Sequence, residues 1–474
     1  MSQDRMSPDE AISIAREAVK RLVQERGAQE TFPLDRIHEY ASRAIPSRQR
    51  PALAKKLEKE GFLERTGRQV SASTEARAGS LTSEFRPGRH FYSRAPERRG
   101  TASELQEMAY HLENLAYLTT PAQLANFYLA LLVSPLVILA GPSGTGKSKL
   151  PRHFAQLTGS KFDLIPVQPQ WSDNTDLLGY TPTLAQDKFI EGRILAPIRQ
   201  AIESPGTPHI VLLDEMNLAP VEHYFSDVLS IIETRRRSDL GTQTDRLPLP
   251  LPPRRADSDP FHNLRELTIP HNLILVGTAN MDETTREFSK KVLDRAFTIE
   301  LDEIDLAAFP TPENKPIRTF TEIARQLVKP NRPVGISDIP STDLPFIAQI
   351  GSYLQEIQGV LKQAGISIGY RTRDAICLYM WYWSTEKLDP LMPFSTAFDF
   401  CLFQKILPRI NGTGVALQRA LDRLLGWLEA DLSNREVTSL KGEALQLTPC
   451  PRTAARIGEL LQQLDDEGVA NYWR

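Results

Sequence analysis

The chain has 474 residues, 56 Lys and Arg against 59 Asp and Glu, and a net charge of −3, which is enough length for two or three domains with buried cores. Its three cysteines, Cys377, Cys401 and Cys450, are far apart and form no C-x-x-C pair, which excludes a zinc ribbon and a disulfide framework and fits reduced core thiols in the cytoplasm. No basic-then-apolar leader opens the sequence, and the longest apolar run, 127–140, is broken by Ser134-Pro135 and too short to cross a bilayer, so no membrane partner is expected.

Charge is uneven along the chain. Residues 1–100 hold 20 Lys and Arg against 14 Asp and Glu, whereas the remainder holds 36 against 45. Residues 1–75 read as short amphipathic helices followed by a β wing. The first helix opens at Ser7-Pro8-Asp9-Glu10, with a capping Ser, Pro at the first helical position and acids in the first turn, and runs towards Arg26. A second is expected over 34–44 and a third over 47–60, ended by Gly61, with the wing turning at Thr66-Gly67. That order is winged-helix-like. The third helix carries Arg48, Arg50, Lys55, Lys56 and Lys59, diluted by Glu58, Glu60 and Glu64. It reads equally as a DNA-contacting helix or as the solvated face of a protein-binding domain. Residues 76–100 read as a basic linker, with Arg86, Arg89, Arg94, Arg98 and Arg99; Phe85, Phe91 and Tyr92 leave a nucleic-acid contact open.

Residues 101–305 alternate apolar runs, at 136–140, 164–167, 209–213 and 273–276, with helical patterns, so a parallel sheet covered on both faces is expected. After the first run stands Gly141-Pro142-Ser143-Gly144-Thr145-Gly146-Lys147-Ser148, which fits the P-loop pattern at every fixed position and precedes a helix. Its glycines let successive N–H groups point inward and cradle the phosphates of a nucleotide, with the helix start adding its dipole. Lys147 would reach the β- and γ-phosphates, and the Ser148 hydroxyl would ligate Mg²⁺. The third run ends in Asp214-Glu215. The first acid suits the Mg²⁺ shell and the second a general base for the attacking water. Asn280 ends the fourth run, where ligands of α/β sheets gather, and can orient that water. Arg295 reads either as a surface charge or as an arginine finger directed into a neighbouring copy. Between them, Arg235-Arg236-Arg237 and the proline run 247–253 mark a surface insertion or hairpin. From 306 to 474 the apolar spacing is helical, with Tyr379, Trp381, Tyr382 and Trp383 read as core.

These segments together resemble an AAA+ NTPase of the McrB-like branch, close to the MoxR group. The resemblance rests on the P-loop, on Asp214-Glu215-Met216-Asn217-Leu218-Ala219, on Gln168-Pro169-Gln170-Trp171 and the residues after it, on Gly277-Thr278-Ala279-Asn280, and on Gly369-Tyr370-Arg371 and Gln404-Lys405-Ile406-Leu407-Pro408-Arg409. It covers roughly 100–474 and is silent on 1–95. It implies an α/β AAA+ P-loop core, here expected at 101–305, a helical lid at 306–474, and a ring, expected to be a hexamer. It also implies ATP or GTP as substrate with Mg²⁺, Asn280 as sensor 1, Arg295 as finger and Arg371 as sensor 2, with Arg373 as its near rival. The chain departs from its relatives at Asn217-Leu218, where an Asn-Arg pair is common, and in the shortened basic run Asp294-Arg295-Ala296. The function implied is the NTPase motor of an McrBC-like restriction or antiphage system, working with a separate nuclease, with DNA and protein both open as what the N-terminal domain binds. A MoxR-like chaperone that remodels protein complexes is the alternative.

Overall fold

The computed structural model describes residues 7–26, 32–33, 36–37, 40–41, 50–60, 62–71, 81–87, 100–238, 241–253, 259–281, 286–302, 306–307, 309 and 318–473. Contacts divide the chain into two units, 1–99 and 100–474.

In the first unit a helix, Pro8–Arg26, is followed by strand β1 (Phe32–Pro33), a helix, Arg50–Lys59, and strands β2 (Leu63–Ser71) and β3 (Leu81–Pro87). The Glu10 N–H donates to Ser7 Oγ at 3.1 Å, so the Ser cap forms as the sequence indicates. Ala11, Ala15, Val19 and Leu22 recur at helical spacing and bury against Leu53, Leu57 and Phe85. Arg16 forks onto Glu60 at 2.9 and 2.7 Å, tying the middle of the first helix to the end of the second. The wing differs from expectation. Thr66-Gly67 is not a hairpin turn: β2 runs through it and pairs antiparallel with β3, and the register slips between Arg65 and Gln69. A glycine inside a strand favours such a bulge. The partner strand of β2, β3, therefore lies in the stretch read as linker. Most of the helix expected at 34–44, together with Arg48, Arg89, Arg94, Arg98, Arg99, Phe91 and Tyr92, falls outside the described residues.

The second unit is built on five strands: β4 (Leu136–Gly141), β5 (Lys161–Pro166), β8 (His209–Asp214), β11 (Leu273–Asn280) and β12 (Ala296–Glu300). Their order is β12-β4-β11-β8-β5, and every neighbouring pair is parallel. Side chains alternate between two apolar layers, as a doubly covered sheet requires. Val137 and Leu139 pack with Phe127 and Phe154 on one face, whereas Leu136 and Ile138 pack with Phe225 and Val228 on the other. Small hairpins lie between the main strands: β6 (Gly179–Tyr180) with β7 (Ile190–Glu191), and β9 (Arg236–Ser238) with β10 (Gly241–Gln243). The insertion is thus a hairpin whose following proline run returns to the domain. Leu247 is buried, and its N–H donates to the Leu267 carbonyl at 2.8 Å.

The C-terminal part carries helices at Leu344–Leu361, Tyr370–Thr385, Phe394–Lys405, Val415–Gly426 and Pro451–Glu467. It is not wholly helical. Strand β13 (Asn411–Thr413) pairs with β16 (Val469–Asn471), and β14 (Glu436–Thr438) with β15 (Ala444–Gln446). Tyr379, Tyr382 and Trp383 are buried, as are all three cysteines. One polar network joins this part to the sheet domain. Asn126, on the helix Pro121–Val133, accepts through Oδ1 from Tyr379 Oη and from Gln404 Nε2, each at 2.8 Å. Replacing it with Leu strands two buried donors, each costing about 1–3 kcal/mol. Asn126→Leu is expected to lower unfolding free energy by roughly 2–4 kcal/mol in denaturant titration; a loss below about 0.5 kcal/mol, the scale of a neutral surface change, would show that the network adds nothing.

Candidate active site

β4 is buried along its whole length and ends at Gly141, where the P-loop begins. Two glycines have no substitute there. Gly141 has φ +144°, and a Cβ on it would stand 2.6 Å from the Leu301 carbonyl oxygen. Gly146 has φ +88°, and a Cβ would meet the Tyr117 ring at 2.7 Å. The loop hands over to the helix Lys149–Thr158. Lys147 is nearly buried, and its Nζ donates to the carbonyls of Gly141 and Pro142 at 2.8 and 2.6 Å. The ammonium therefore lies over the mouth of its own loop, with the cradle already curled around it.

β8 and β11 bring the acids and amides to the same end of the sheet. Ser148 Oγ donates to Asp214 Oδ1 at 2.7 Å. Thr278 Oγ1 donates to the same oxygen at 2.8 Å and accepts the Glu215 N–H at 2.8 Å. Glu215 has φ +53°, a left-handed conformation that costs a non-glycine residue on the order of 1 kcal/mol or more. Thr278 holds that backbone, and the Glu215 side chain is exposed at the strand end. Asn280 pairs in register with Gly141, next to the loop. Asn217 Nδ2 donates to the Asn280 carbonyl at 2.9 Å and reaches the Arg286 carbonyl at 3.4 Å. Gly277 lets the turn approach closely, since a Cβ there would lie 2.5 Å from Met216 Sδ. Sequence reasoning did not assign Thr278 or Asn217 a role. The one available signal for Thr278 was a hydroxyl two residues before Asn280, which alternation places on the same side of the strand.

The oxygen donors suit Mg²⁺. Ser148 offers a hydroxyl and Asp214 a carboxylate, 2.7 Å apart, and hard oxygens are what that ion selects. Among the described residues no cluster of three or more His, Cys, Asp or Glu is placed to hold a metal. Water and phosphate oxygens would complete the shell, as is usual for Mg²⁺ at nucleotide sites.

Lys147, Ser148, Asp214, Glu215 and Asn280 converge at the carboxyl ends of the strands. Arg295 and Arg371 do not join them. Arg295 immediately precedes β12, whose first residue pairs with Leu136, the first residue of β4. It stands at the opposite end of a strand of six residues, about 20 Å from the P-loop at 3.3 Å per residue. Arg371, in the first turn of Tyr370–Thr385, is at the same edge, and both guanidiniums pair with Glu233. Arg373 pairs instead with its neighbour Asp374. Lys405 is buried beneath the Arg295 turn, and its Nζ donates to the carbonyls of Leu293, Asp294 and Ala296 at 3.1, 3.3 and 2.6 Å. Burial, then the Arg409 guanidinium, pulls this ammonium down to about 7, against the pull of Asp294.

Residues 136–298 match a family model described as an AAA domain of the dynein-related subfamily, and residues 331–469 match a domain of unknown function. The EcoKMcrB subunit of a type IV methyl-directed restriction enzyme of Escherichia coli (strain K12) is 27% identical over 183 residues, which are 37% of this chain and 36% of that protein. The chain thus spans little more than a third of that relative. A crystal structure of a protein from Cytophaga hutchinsonii, provisionally assigned as an ATPase, covers 68% of this chain and 92% of its own at 14% identity. Its TM-score is 0.40.

The Thr278 relay makes a prediction. Thr278→Val removes one donor from Asp214 and the acceptor of the Glu215 N–H. A hydrogen bond to a charged group is worth about 1.5–3 kcal/mol, so nucleotide turnover should fall roughly 10- to 100-fold with nucleotide affinity little changed. Thr278→Ser keeps the hydroxyl and should stay within a few fold of the unmodified protein. Unaltered turnover in Thr278→Val would remove Thr278 from the site.

Proposed function

We propose that this chain, which matches an AAA domain over 136–298 and is similar to an McrB subunit, is a ring-forming motor that hydrolyses ATP or GTP, the NTPase subunit of an McrBC-like restriction or antiphage system. The observation that carries the hydrolytic reading is the 2.7 Å contact between Ser148 Oγ and Asp214 Oδ1, made where the P-loop and the acidic strand end meet. The loop amides and Lys147 hold the β- and γ-phosphates. Ser148 and Asp214 would hold Mg²⁺, which would supply positive charge to the phosphate oxygens. Asn280 orients a water, and Glu215 accepts a proton as that water attacks the γ-phosphorus and the bond to the β-phosphate oxygen breaks.

The ring reading is supported by the position of Arg295 and Arg371. About 20 Å from their own loop by strand length, they can serve a nucleotide only in another copy. A hexamer is the ring that the family resemblance implies. The relative's description as a restriction-enzyme subunit supports a separate nuclease partner here. DNA binding through the first unit is supported by the helix Arg50–Lys59, where Leu53, Ala54 and Leu57 are buried while Lys55, Lys56 and Lys59 face outward. No helix among the described residues is long and apolar enough to cross a membrane.

Steady-state turnover of ATP and GTP tests this reading directly. Glu215→Gln should bind nucleotide as the unmodified protein does and lose at least roughly 100-fold in turnover, the scale of a lost general base. Lys147→Ala should lose affinity itself. In the same preparations, a mobility shift of DNA that weakens steeply with salt favours the restriction motor. Turnover with no DNA shift at low salt turns the assignment to a chaperone of protein complexes, and full turnover in Glu215→Gln contradicts the hydrolytic assignment.

A further inference from the structure

Between the sheet and the helical part, at the edge where β4 and β12 begin, lies a cavity of about 390 Å³, walled in part by Ser134, Glu233, Arg235, Arg295, Arg371 and Lys405. Glu233 is the last residue of the helix Ser226–Glu233. A carboxylate there opposes the helix dipole, so its favourable contacts come from elsewhere. They come from two guanidiniums. Arg295 Nε donates to Glu233 Oε2 at 2.9 Å with Nη2 beside it, and Arg371 pairs with Oε1. A third contact folds Arg295 inward, from Nη1 to the Lys291 carbonyl at 2.7 Å. Its side chain is only 18% exposed, against 43% for Arg371.

The backbone beneath Arg295 is fixed. Ser134 Oγ donates to the Arg295 carbonyl at 3.0 Å, Lys405 takes the three carbonyls around it, and Arg409 pairs with Asp294. What can move is the arginine side chain, and what holds it in is Glu233 together with the Lys291 carbonyl.

We propose that Glu233 is an internal stand-in for phosphate: in the free subunit it folds Arg295 and Arg371 back on their own surface, and it yields them to the terminal phosphate of a nucleotide held by a second copy. This rests on the reading that the two arginines serve another copy's nucleotide. The exchange is favourable because a terminal phosphate presents more charge and more acceptor oxygens than one carboxylate, and guanidiniums bind it bidentately. The exchange is accessible because the carboxylate being given up and Arg371 are partly exposed, at 35% and 43%, so solvent screens the attraction that holds the cluster. Hydrolysis is thereby tied to assembly, with the fingers sheathed until a partner site arrives.

The test uses the full chain and whichever nucleotide it hydrolyses, with turnover per subunit measured across protein concentration. Glu233→Gln should reach half-maximal turnover at roughly two- to fivefold lower protein concentration, the factor a partly exposed ion pair supplies. Its nucleotide affinity should be unchanged, and the gain should vanish when Arg295→Ala is added. Glu233→Asp, which keeps the charge on a shorter arm, should show a smaller shift in the same direction and serves if the Gln variant does not fold. Lower turnover in both variants with affinity intact would make Glu233 a positioning group and overturn the latch. An unshifted concentration dependence, with turnover still dependent on Arg295, overturns the latch alone. Turnover indifferent to Arg295→Ala overturns the reading of the arginines, and the latch with it.

Discussion

β4 is six residues long, buried throughout, and paired on both sides by parallel strands, and this sets what one copy of the chain can do alone. Parallel pairing puts all carboxyl ends at one edge and all amino ends at the other. The P-loop, Asp214, Glu215 and Asn280 are therefore forced together, and Arg295 is forced away from them. No side-chain rotation closes a gap of about 20 Å, the length of such a strand. A buried apolar strand cannot bend to close it either, because that would break the ladder on both sides.

The two edges are nevertheless mechanically joined. Thr278 and Asn217 tie β11 to the turn after β8 at the phosphate end. Lys405 and Arg409, from the helical part, grip the turn before β12 at the arginine end. Three carbonyls around one ammonium match the three donors of a charged lysine, and burial weakens that charge. The position of Arg295 therefore follows the position of the helical part. The buried Asn126, Tyr379 and Gln404 network ties the same helices to the sheet from another side.

The phosphate end was legible because its signals are contiguous. Eight residues in a row carry the loop, and Asp214-Glu215 ends an apolar run whose burial any strand of that composition would show. Asn280 was legible for the same reason. Thr278 and Glu233 were not assigned, because each acts through partners more than 60 positions away in sequence: Thr278 on Asp214 across 64, Glu233 on Arg295 across 62. Lys405 reaches Leu293 across 112, and nothing in a lysine at the end of an apolar helix marks which carbonyls it will meet. Thr66-Gly67 misled for the opposite reason. Locally it has the chemistry of a turn, and pairing with 81–87 overrides that preference.

The central claim is that a complete catalytic site takes its phosphate cradle from one copy and its arginines from another. Mixing two inactive proteins measures it: Arg295→Ala keeps a loop that binds nucleotide, and Lys147→Ala keeps the arginines. If the site is shared, the mixture regains a fraction of unmodified turnover that neither protein shows by itself, with a maximum near equal proportions. If the two proteins demonstrably co-assemble and the mixture hydrolyses no faster than the separate components together, each site is complete within one chain, and the arrangement argued from β4 is wrong.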